Sequence, residues 1–227
     1  MIVTIKRQKN RESSPYLQSF RYDGTLDTTV AALLDALNYT DDLYDTEGNS
    51  APRIRWECSC QQKVCGACAM VINGTPALAC NTFLRDLKCD RLVLEPLSKF
   101  PVTADLIVDR SVIDENLKKA EVYLGELAES RAKEYPQQYS TAKCLKCGLC
   151  LEVCPNYVKG ERFFGALFAN NLYLVHSQSE SRKKELKKKY DANFAAGCSK
   201  SLSCEKVCPA GISTLSSLLK MNRGANR

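Results

Sequence analysis

Eleven of the thirteen cysteines in this chain of 227 residues fall into three closely spaced sets. The first set reads C-x4-C-x2-C-x11-C, the second reads C-x2-C-x2-C-x3-C and the third reads C-x5-C-x3-C. In chain order the members are Cys60, Cys65, Cys68 and Cys80; Cys144, Cys147, Cys150 and Cys154; and Cys198, Cys204 and Cys208. So many clustered thiols restrict the fold more than any apolar pattern does, because the chain must wrap around what they bind.

The first two sets have the spacing of iron–sulfur ligands. C-x4-C-x2-C followed by a more distant cysteine is the plant-type 2Fe–2S spacing, and the second set, which is followed by Pro155, is the run found in bacterial ferredoxins. Thiolates suit iron and bridging sulfide because they are soft, charged ligands. The first set therefore predicts a 2Fe–2S cluster bound by Cys60, Cys65, Cys68 and Cys80.

The third set repeats the second with one cysteine replaced. Ser201 stands where the second cysteine of the run would be, and Pro209 follows the last one. In two-cluster ferredoxins the fourth cysteine of each run binds the other cluster. That rule assigns a complete 4Fe–4S site to Cys144, Cys147, Cys150 and Cys208. The three remaining thiolates predict a 3Fe–4S cluster, since an aliphatic hydroxyl is a poor iron ligand, and they are Cys154, Cys198 and Cys204.

Disulfides and zinc are the common alternatives for clustered cysteines. A disulfide framework is typical of small secreted domains, and residues 1–5 lead directly into a strand-like segment without a targeting signal. Zinc explains C-x2-C pairs, but not four cysteines in one tight run that ends in proline. Cys58 and Cys89 stay outside the three sets. Cys58 could compete for the 2Fe–2S cluster, but only Cys60 gives the x4 spacing to Cys65.

Charge and hydropathy limit the partners. The formal net charge is +6, and the whole excess lies in residues 101–227. Bound clusters with their thiolates are anionic and would offset this excess, so nucleic acid is not expected as a partner. The basic run at residues 182–189 could touch anionic lipid, although a solvated helix face explains it as well. No apolar run approaches the roughly 20 residues of a membrane span, so we expect no transmembrane segment.

The first hundred residues read as a small β-rich domain. Residues 2–7, 16–22 and 91–97 are strand-like, and Asn73-Gly74 between residues 70–72 and 77–79 predicts a hairpin. Residues 28–37 have helical apolar spacing, with Asp27 as the expected N-cap. This order of elements is typical of a β-grasp ferredoxin.

The chain changes character after Phe100-Pro101, and from about residue 112 it reads as helical. Apolar residues recur at helical spacing in residues 113–135, 163–175 and 215–221. We therefore predict an α+β protein with a 2Fe–2S β-grasp domain in residues 1–103. An α-helical, bacterial-ferredoxin-like domain with the 4Fe–4S and 3Fe–4S clusters follows in residues 104–227.

At these motifs the sequence resembles the iron–sulfur subunits of succinate dehydrogenase and fumarate reductase. The resemblance extends over nearly the whole chain and rests on VCGACAMVINGTPALAC, CLKCGLCLEVCP and CSKSLSCEKVCP, including the serine at position 201. It implies a partner flavoprotein subunit that carries FAD and the dicarboxylate site, and membrane anchor subunits with a quinone site. The chain itself has no G-x-G-x-x-G motif and a single histidine, His176, so no catalytic residue is expected in it.

One departure from the family pattern bears on the quinone. Ubiquinone-reducing members carry a Trp pair shortly after the Cys-Pro of the second set and a His just after the first cysteine of the third. Here those stretches are residues 156–159, Asn-Tyr-Val-Lys, and Ser199. The resemblance therefore favours menaquinone over ubiquinone. It also implies a peripheral location on the cytoplasmic face of a prokaryotic inner membrane.

Two other functions remain open at this stage. The chain could serve a related flavoprotein reductase, either thiol-coupled or acting on another enoate. It could also be a free ferredoxin-like carrier, although such a carrier needs neither three clusters nor the additional helices. The direction of the dicarboxylate reaction depends on reduction potentials and on the quinone pool.

Overall fold

The computed structural model describes residues 1–128 and 132–223. The chain divides after Asp109 into two compact units, the first rich in strands and the second helical. The α+β class and the order of the two folds are as predicted. The predicted domain boundary, at residue 103, stays a prediction.

A five-stranded mixed sheet in the order β2-β1-β7-β5-β6 organises the first unit. Strands β1 and β7 are parallel, with Ile2 beside Arg91, and the other pairs are antiparallel. The strands of this unit are β1 (Ile2–Arg7), β2 (Tyr16–Arg21), β3 (Leu43–Tyr44), β4 (Ser50–Ala51), β5 (Ala69–Ile72), β6 (Thr75–Leu78), β7 (Arg91–Glu95), β8 (Val102–Ala104) and β9 (Ile107–Val108). Its helices are α1 (Val30–Asn38) and α2 (Leu84–Leu87), with a 3-10 turn at Ala79–Asn81. This arrangement confirms the β-grasp prediction.

Two candidate cluster ligands, Cys68 before β5 and Cys80 after β6, flank the β5–β6 hairpin, so its register matters to the site. Asn73 and Gly74 form its turn with φ angles of 47° and 76°, the left-handed values that this dipeptide adopts readily. The register places Ala69 opposite Leu78. Cys68 and Cys80 therefore meet beside the open end of the hairpin, although eleven residues separate them in sequence.

Helix α1 begins two residues later than expected. Its N-cap is Thr29, whose hydroxyl accepts a hydrogen bond from the Ala32 N–H. The prediction of Asp27 as the cap is wrong, because Asp27 forms an exposed ion pair with Arg85 instead. Threonine and aspartate are both good caps, and the sequence offers both within three residues.

A buried ion pair lies under the segment that leads into the first cysteine loop. Strand β1 alternates, so Arg7 points inward, and its Nε lies 3.0 Å from Oδ1 of Asp105. Its Nη2 donates to the carbonyl oxygens of Pro52 (3.0 Å) and Arg53 (3.2 Å). Asp105 also accepts a hydrogen bond from the Arg55 N–H at 2.9 Å. The pair thus fixes residues 52–55 against β1 and the β8–β9 connection.

Helix α6 is the centre of the second unit and packs against α4, α5, α7 and α9. Its buried side chains include Leu167, Phe168, Leu172 and Tyr173. The helices of this unit are α3 (Ser111–Lys119), α4 (Tyr135–Ala142), α5 (Leu149–Glu152), α6 (Gly165–Gln178), α7 (Lys183–Asn193), α8 (Ser203–Lys206) and α9 (Thr214–Asn222). In the part of the chain that the structure describes, no helix combines the length and the apolar character that crossing a membrane requires.

The single helix predicted for residues 113–135 is wrong. Helix α3 ends at Lys119, and Glu121 takes a φ of 54° that turns the chain away. Arg182 then holds the extended segment, donating to the carbonyl oxygens of Tyr123 at 2.7 Å and Glu121 at 3.1 Å. The apolar residue Leu127, expected on the buried face, is 95% exposed. Residues 129–131 of the predicted helix lie outside the described residues.

Candidate functional site

The loop of residues 60–68, which we call the Cys60 loop, gathers the first set of thiols. Gln61, Lys63 and Gly66 all have positive φ, so the loop curls tightly and turns backbone N–H groups towards sulfur. Cys60 Sγ accepts hydrogen bonds from the N–H of Gln62 at 3.3 Å and of Val64 at 3.4 Å. These donors lower the pKa of Cys60 to about 7, because they stabilise the thiolate.

The other members of the first set lie against this loop. The Ala67 N–H donates to Cys65 Sγ at 3.5 Å. The Cys80 N–H donates to Cys68 Sγ at 3.5 Å across the hairpin. Burial raises the pKa of Cys68 to about 12. All four thiols of the set thus converge, and each of Cys60, Cys65 and Cys68 accepts at least one backbone N–H.

The second and third sets adopt the same backbone conformation. We call residues 144–154 the first turn and residues 198–208 the second turn. Lys146 and Gly148 in the first turn have φ of 51° and 88°, and Lys200 and Leu202 at the equivalent positions have 58° and 57°. Each turn contains one short helix, α5 in the first and α8 in the second. Ser201 therefore occupies the position of Cys147 in the repeated turn.

The turns surround two cavities and exchange their last cysteines. The Cys147 cavity has an empty volume of about 400 Å³. Its lining includes Cys144, Cys147, Cys150, Cys208 and Cys204. The Ser201 cavity has an empty volume of about 360 Å³. Its lining includes Cys154, Cys198, Cys204 and Ser201. Cys208 thus lies with the first turn and Cys154 with the second, the crossed arrangement that the ferredoxin rule predicts.

The donor set of the Cys147 cavity fits an anionic cluster. Burial raises the pKa of Cys144, of Cys150 and, to about 11, of Cys147, so loading these ligands would release protons. The Ile212 N–H donates to Cys208 Sγ at 3.5 Å. Lys146 favours the thiolate of Cys144 by its charge. Cations and N–H dipoles of this kind stabilise negative charge on the sulfurs.

The geometry suits polynuclear clusters rather than single ions. All thirteen cysteines are free thiols, so no disulfide competes for them. Among residues 1–128 and 132–223, no three cysteine, histidine or carboxylate groups come close enough to share one metal ion. The thiolates of a cluster are shared among two or more irons, so as a set they stand farther apart than the ligands of a single ion.

Cys58 and Cys89 have different surroundings from the ligand candidates. Cys58 is exposed, and its sulfur accepts a hydrogen bond from the Gln61 side chain at 3.3 Å. Cys89 accepts one from the Asn73 side chain at 3.3 Å, on the β5–β6 turn. No backbone N–H bond to either sulfur is seen in the described residues, in contrast to the two that reach Cys60.

Sequence reasoning missed two polar residues at the cavities. Thr214, the first residue of α9, lines both cavities, and Asn170 of α6 lines the Cys147 cavity. Neither belongs to a spacing motif, since only the packing of α6 against α9 brings them to the cysteines. His176, the single histidine, lies in the last turn of α6 and is not among the residues that line either cavity.

Two family models match the chain. A model described as "2Fe-2S iron-sulfur cluster binding domain" matches residues 2–115, and one described as "4Fe-4S dicluster domain" matches residues 140–212. The first match contains the first cysteine set, and the second match contains the second and third sets.

Curated relatives and a solved structure agree with these matches. The succinate dehydrogenase iron–sulfur subunit of Bacillus subtilis is 31% identical over 98% of this chain and 91% of its own length. The fumarate reductase iron–sulfur subunit of Haemophilus influenzae is 29% identical over 96% of this chain and 89% of its own. A chain of the Mycobacterium smegmatis Sdh1 complex superimposes with a TM-score of 0.78 at 19% identity, covering all of this chain and 97% of that one. The last likeness shows the fold.

Proposed function

Because the chain belongs to the family of iron–sulfur subunits of succinate dehydrogenase and fumarate reductase, we propose how its residues divide the work of that complex. It is the electron-transfer subunit, which connects a flavoprotein subunit to a quinone site in the membrane. The observation that carries this function is the gathering of eleven thiols at the Cys60 loop with its adjoining hairpin and at two crossed cavities. When bound, the clusters accept and release single electrons.

The ligand sets follow from the cavities. Four thiols would hold the 4Fe–4S cluster in the Cys147 cavity, namely Cys144, Cys147, Cys150 and Cys208. Three would hold the 3Fe–4S cluster in the Ser201 cavity, namely Cys154, Cys198 and Cys204. The Cys60 loop and the hairpin would hold the 2Fe–2S cluster through Cys60, Cys65, Cys68 and Cys80. The crossed positions of Cys154 and Cys208 support these assignments. Iron analysis of the loaded protein should then give about nine irons per chain.

The role of this chain is to bind the clusters, orient them and tune their reduction potentials. The chemistry on the dicarboxylate belongs to a partner subunit. The cavities are lined mainly by thiols and apolar groups, with no histidine or arginine that could bind a dicarboxylate among their lining residues. We place FAD and the substrate site in a flavoprotein subunit, and the quinone site in membrane anchor subunits. The subunit is then peripheral, on the cytoplasmic face of a prokaryotic membrane.

The quinone is proposed to be menaquinone. Ser199, at the position where ubiquinone-reducing members carry histidine, lies in the wall of the Ser201 cavity. Tyr157, in the stretch that would hold the Trp pair, is buried with 2% of its surface exposed. The purified complex should therefore reduce, or be reduced by, a naphthoquinone analogue faster than a benzoquinone analogue. Equal rates with both would contradict this preference.

Affinity purification of the tagged chain from its native membranes tests the function as a whole. We expect a flavoprotein and a hydrophobic anchor to co-purify, together with succinate- or fumarate-dependent turnover. Recovery of the chain alone, near its own mass of 25.3 kDa, would instead support a free carrier. A partner lacking dicarboxylate activity, or one requiring thiols, would support a related reductase.

Substitution of neighbouring cysteines tests the 2Fe–2S assignment. Cys60→Ser should alter or abolish the 2Fe–2S spectrum of the reduced protein, because it removes the thiolate that accepts the N–H bonds of Gln62 and Val64. Cys58→Ser, two residues away, is the matched control and should leave the spectrum unchanged. The reverse result would assign the cluster to Cys58.

A further inference from the structure

Thr214 lies between the two cavities of the second unit. It is 2% exposed. Like Cys204, it lines both the Cys147 cavity and the Ser201 cavity. Thr214 begins α9, whereas Cys204 lies on α8, so the packing of α8 against α9 brings the hydroxyl to the thiol. A hydroxyl in this position can act on one cluster ligand without being a ligand itself.

Asn170 determines which way that hydroxyl can donate. The Asn170 side chain is buried on α6, and its Nδ2 donates to Thr214 Oγ1 at 3.0 Å. Because Oγ1 already accepts this bond, the hydroxyl hydrogen remains available for an acceptor on the other side. Cys204 is the cysteine common to the linings of both cavities, as Thr214 is. Its sulfur is therefore the acceptor that we assign to the hydroxyl.

We propose that Thr214, oriented by Asn170, donates a hydrogen bond to Cys204 Sγ and raises the reduction potential of the cluster in the Ser201 cavity. The inference rests on the proposed assignment of Cys204 to the 3Fe–4S cluster. A donor to a ligand sulfur stabilises the added negative charge of the reduced state, which is how hydrogen bonds set cluster potentials. Thr214 acts on the ligand directly, and Asn170 is a positioning residue.

Redox titration of the intact complex, followed by the EPR signal of the oxidised three-iron cluster, tests the proposal. Thr214→Val keeps the shape of the side chain but removes the donor, and it should lower the midpoint potential of that signal. A tenfold change in the reduction equilibrium corresponds to about 59 mV for one electron. Thr214→Ser keeps the donor and should retain the wild-type midpoint. The 2Fe–2S and 4Fe–4S midpoints should stay unchanged in both variants.

Ser217→Ala is the matched control. Ser217 is a fully buried hydroxyl on the same helix, it accepts a bond from the Gln137 side chain at 2.8 Å, and it is not among the residues lining either cavity. Its loss should leave every midpoint at the wild-type value. A shift in Ser217→Ala equal to that in Thr214→Val would show a general effect of helix α9 and would overturn the proposal.

A spectroscopic readout and a second variant complete the test. Proton ENDOR of the three-iron cluster should show an exchangeable coupling that is absent in Thr214→Val. Asn170→Leu frees the Thr214 hydroxyl to rotate, so it should lower the midpoint potential of the three-iron cluster less than Thr214→Val does. If Thr214→Val does not assemble, the midpoint of Asn170→Leu tests the proposal in its place. Unshifted midpoints in both variants, with the EPR signal intact, would overturn the proposal. Absence of any three-iron signal in the wild-type complex would instead refute the ligand set.

Discussion

Ser201 shows how one residue sets the iron content of a site. The second turn repeats the backbone of the first, including the left-handed residues on both sides of the position, and Ser201 lines its cavity with the three thiols Cys154, Cys198 and Cys204. The turn is thus already shaped for a fourth thiolate, and the side chain at position 201 decides whether one is present.

Ser201→Cys should therefore convert the three-iron cluster into a 4Fe–4S cluster. The change completes the thiolate set without altering a backbone that already has the required φ values. Loss of the EPR signal of the oxidised protein, gain of a signal in the reduced protein and an increase of about one iron per chain would show the conversion. Ser203→Cys, two residues along on α8 and outside the cavity lining, is the control and should keep the three-iron signal. Unchanged EPR in Ser201→Cys would show that the surrounding packing excludes the fourth iron.

Cys60 should be the most reactive thiol of its set when the chain is free of clusters. Backbone N–H donors lower its pKa to about 7, whereas burial raises the pKa of Cys68 to about 12. The fraction of thiolate at Cys60, and with it the alkylation rate by iodoacetamide, should rise through pH 7 and level off above it. Cys68 is the control in the same loop and should stay unmodified up to pH 9. Mass spectrometry of the labelled chain checks both, and a Cys60 midpoint near pH 9 would contradict the role of the N–H donors.

At the scale of elements, local chemistry explains which predictions succeed. The Asn73-Gly74 hairpin and helices α6 and α9 were predictable, because turn chemistry and apolar periodicity are local signals. The positions of Cys208 and Cys154 in the linings of opposite cavities agree with the ferredoxin spacing, and the ligand sets themselves stay predictions. These features need no knowledge of distant contacts.

The failures trace to contacts between distant segments. The helix predicted for residues 113–135 ends early because the carbonyl oxygens of Glu121 and Tyr123 bind Arg182, about sixty residues later in the chain. The pairing of Thr214 with Asn170 likewise depends on how α6 meets α9. Arginine is usually a surface residue, so the sequence alone does not predict the buried position of Arg7. Its pairing with Asp105 explains that position. No single-sequence periodicity carries this information.

The buried pair of Arg7 and Asp105 should contribute more to stability than an exposed pair on the same strand. Both side chains are 2% exposed, and Arg7→Met leaves the buried carboxylate of Asp105 with only the half-exposed guanidinium of Arg55, 3.8 Å away, as a cationic partner. The substitution should cost about 3–5 kcal/mol in the free energy of unfolding. Lys6→Met, which removes the neighbouring exposed pair with Glu95, should cost at most about 1 kcal/mol. Urea unfolding of the cluster-free chain measures both. The double variant Arg7→Met/Asp105→Asn should recover part of the loss, and equal costs for the two single variants would contradict the burial argument.

At the scale of the whole molecule, two ferredoxin-like architectures are joined in one chain. The first unit presents thiols on a loop and a hairpin, and the second presents them on repeated turns between helices. Most cations of the basic run at residues 182–189 pair with carboxylates of the same unit. Ion pairs are formed by Arg182, Lys183, Lys187 and Lys189. This pairing favours a solvated helix face over lipid binding for the run.

The isolated, loaded chain should neither oxidise succinate nor reduce fumarate with an artificial dye, because the substrate site is proposed to lie in the flavoprotein. When the purified flavoprotein subunit is added, dye-linked turnover should be the same for the wild-type chain and for variants of the Ser201 cavity. The dye takes electrons before they reach the cluster in that cavity. Quinone-linked turnover of the full complex should depend on that cavity. In Ser201→Cys the cluster of the Ser201 cavity, which we place last before the quinone, becomes a 4Fe–4S cluster with four thiolates and a lower reduction potential. It is then a poorer electron acceptor, and each tenfold loss in its reduction equilibrium corresponds to about 59 mV. We therefore expect quinone turnover to fall while dye turnover persists, with Ser203→Cys unaffected in both assays. Dye-linked activity from the flavin-free chain alone would refute this division of labour, as would equal losses in the two assays.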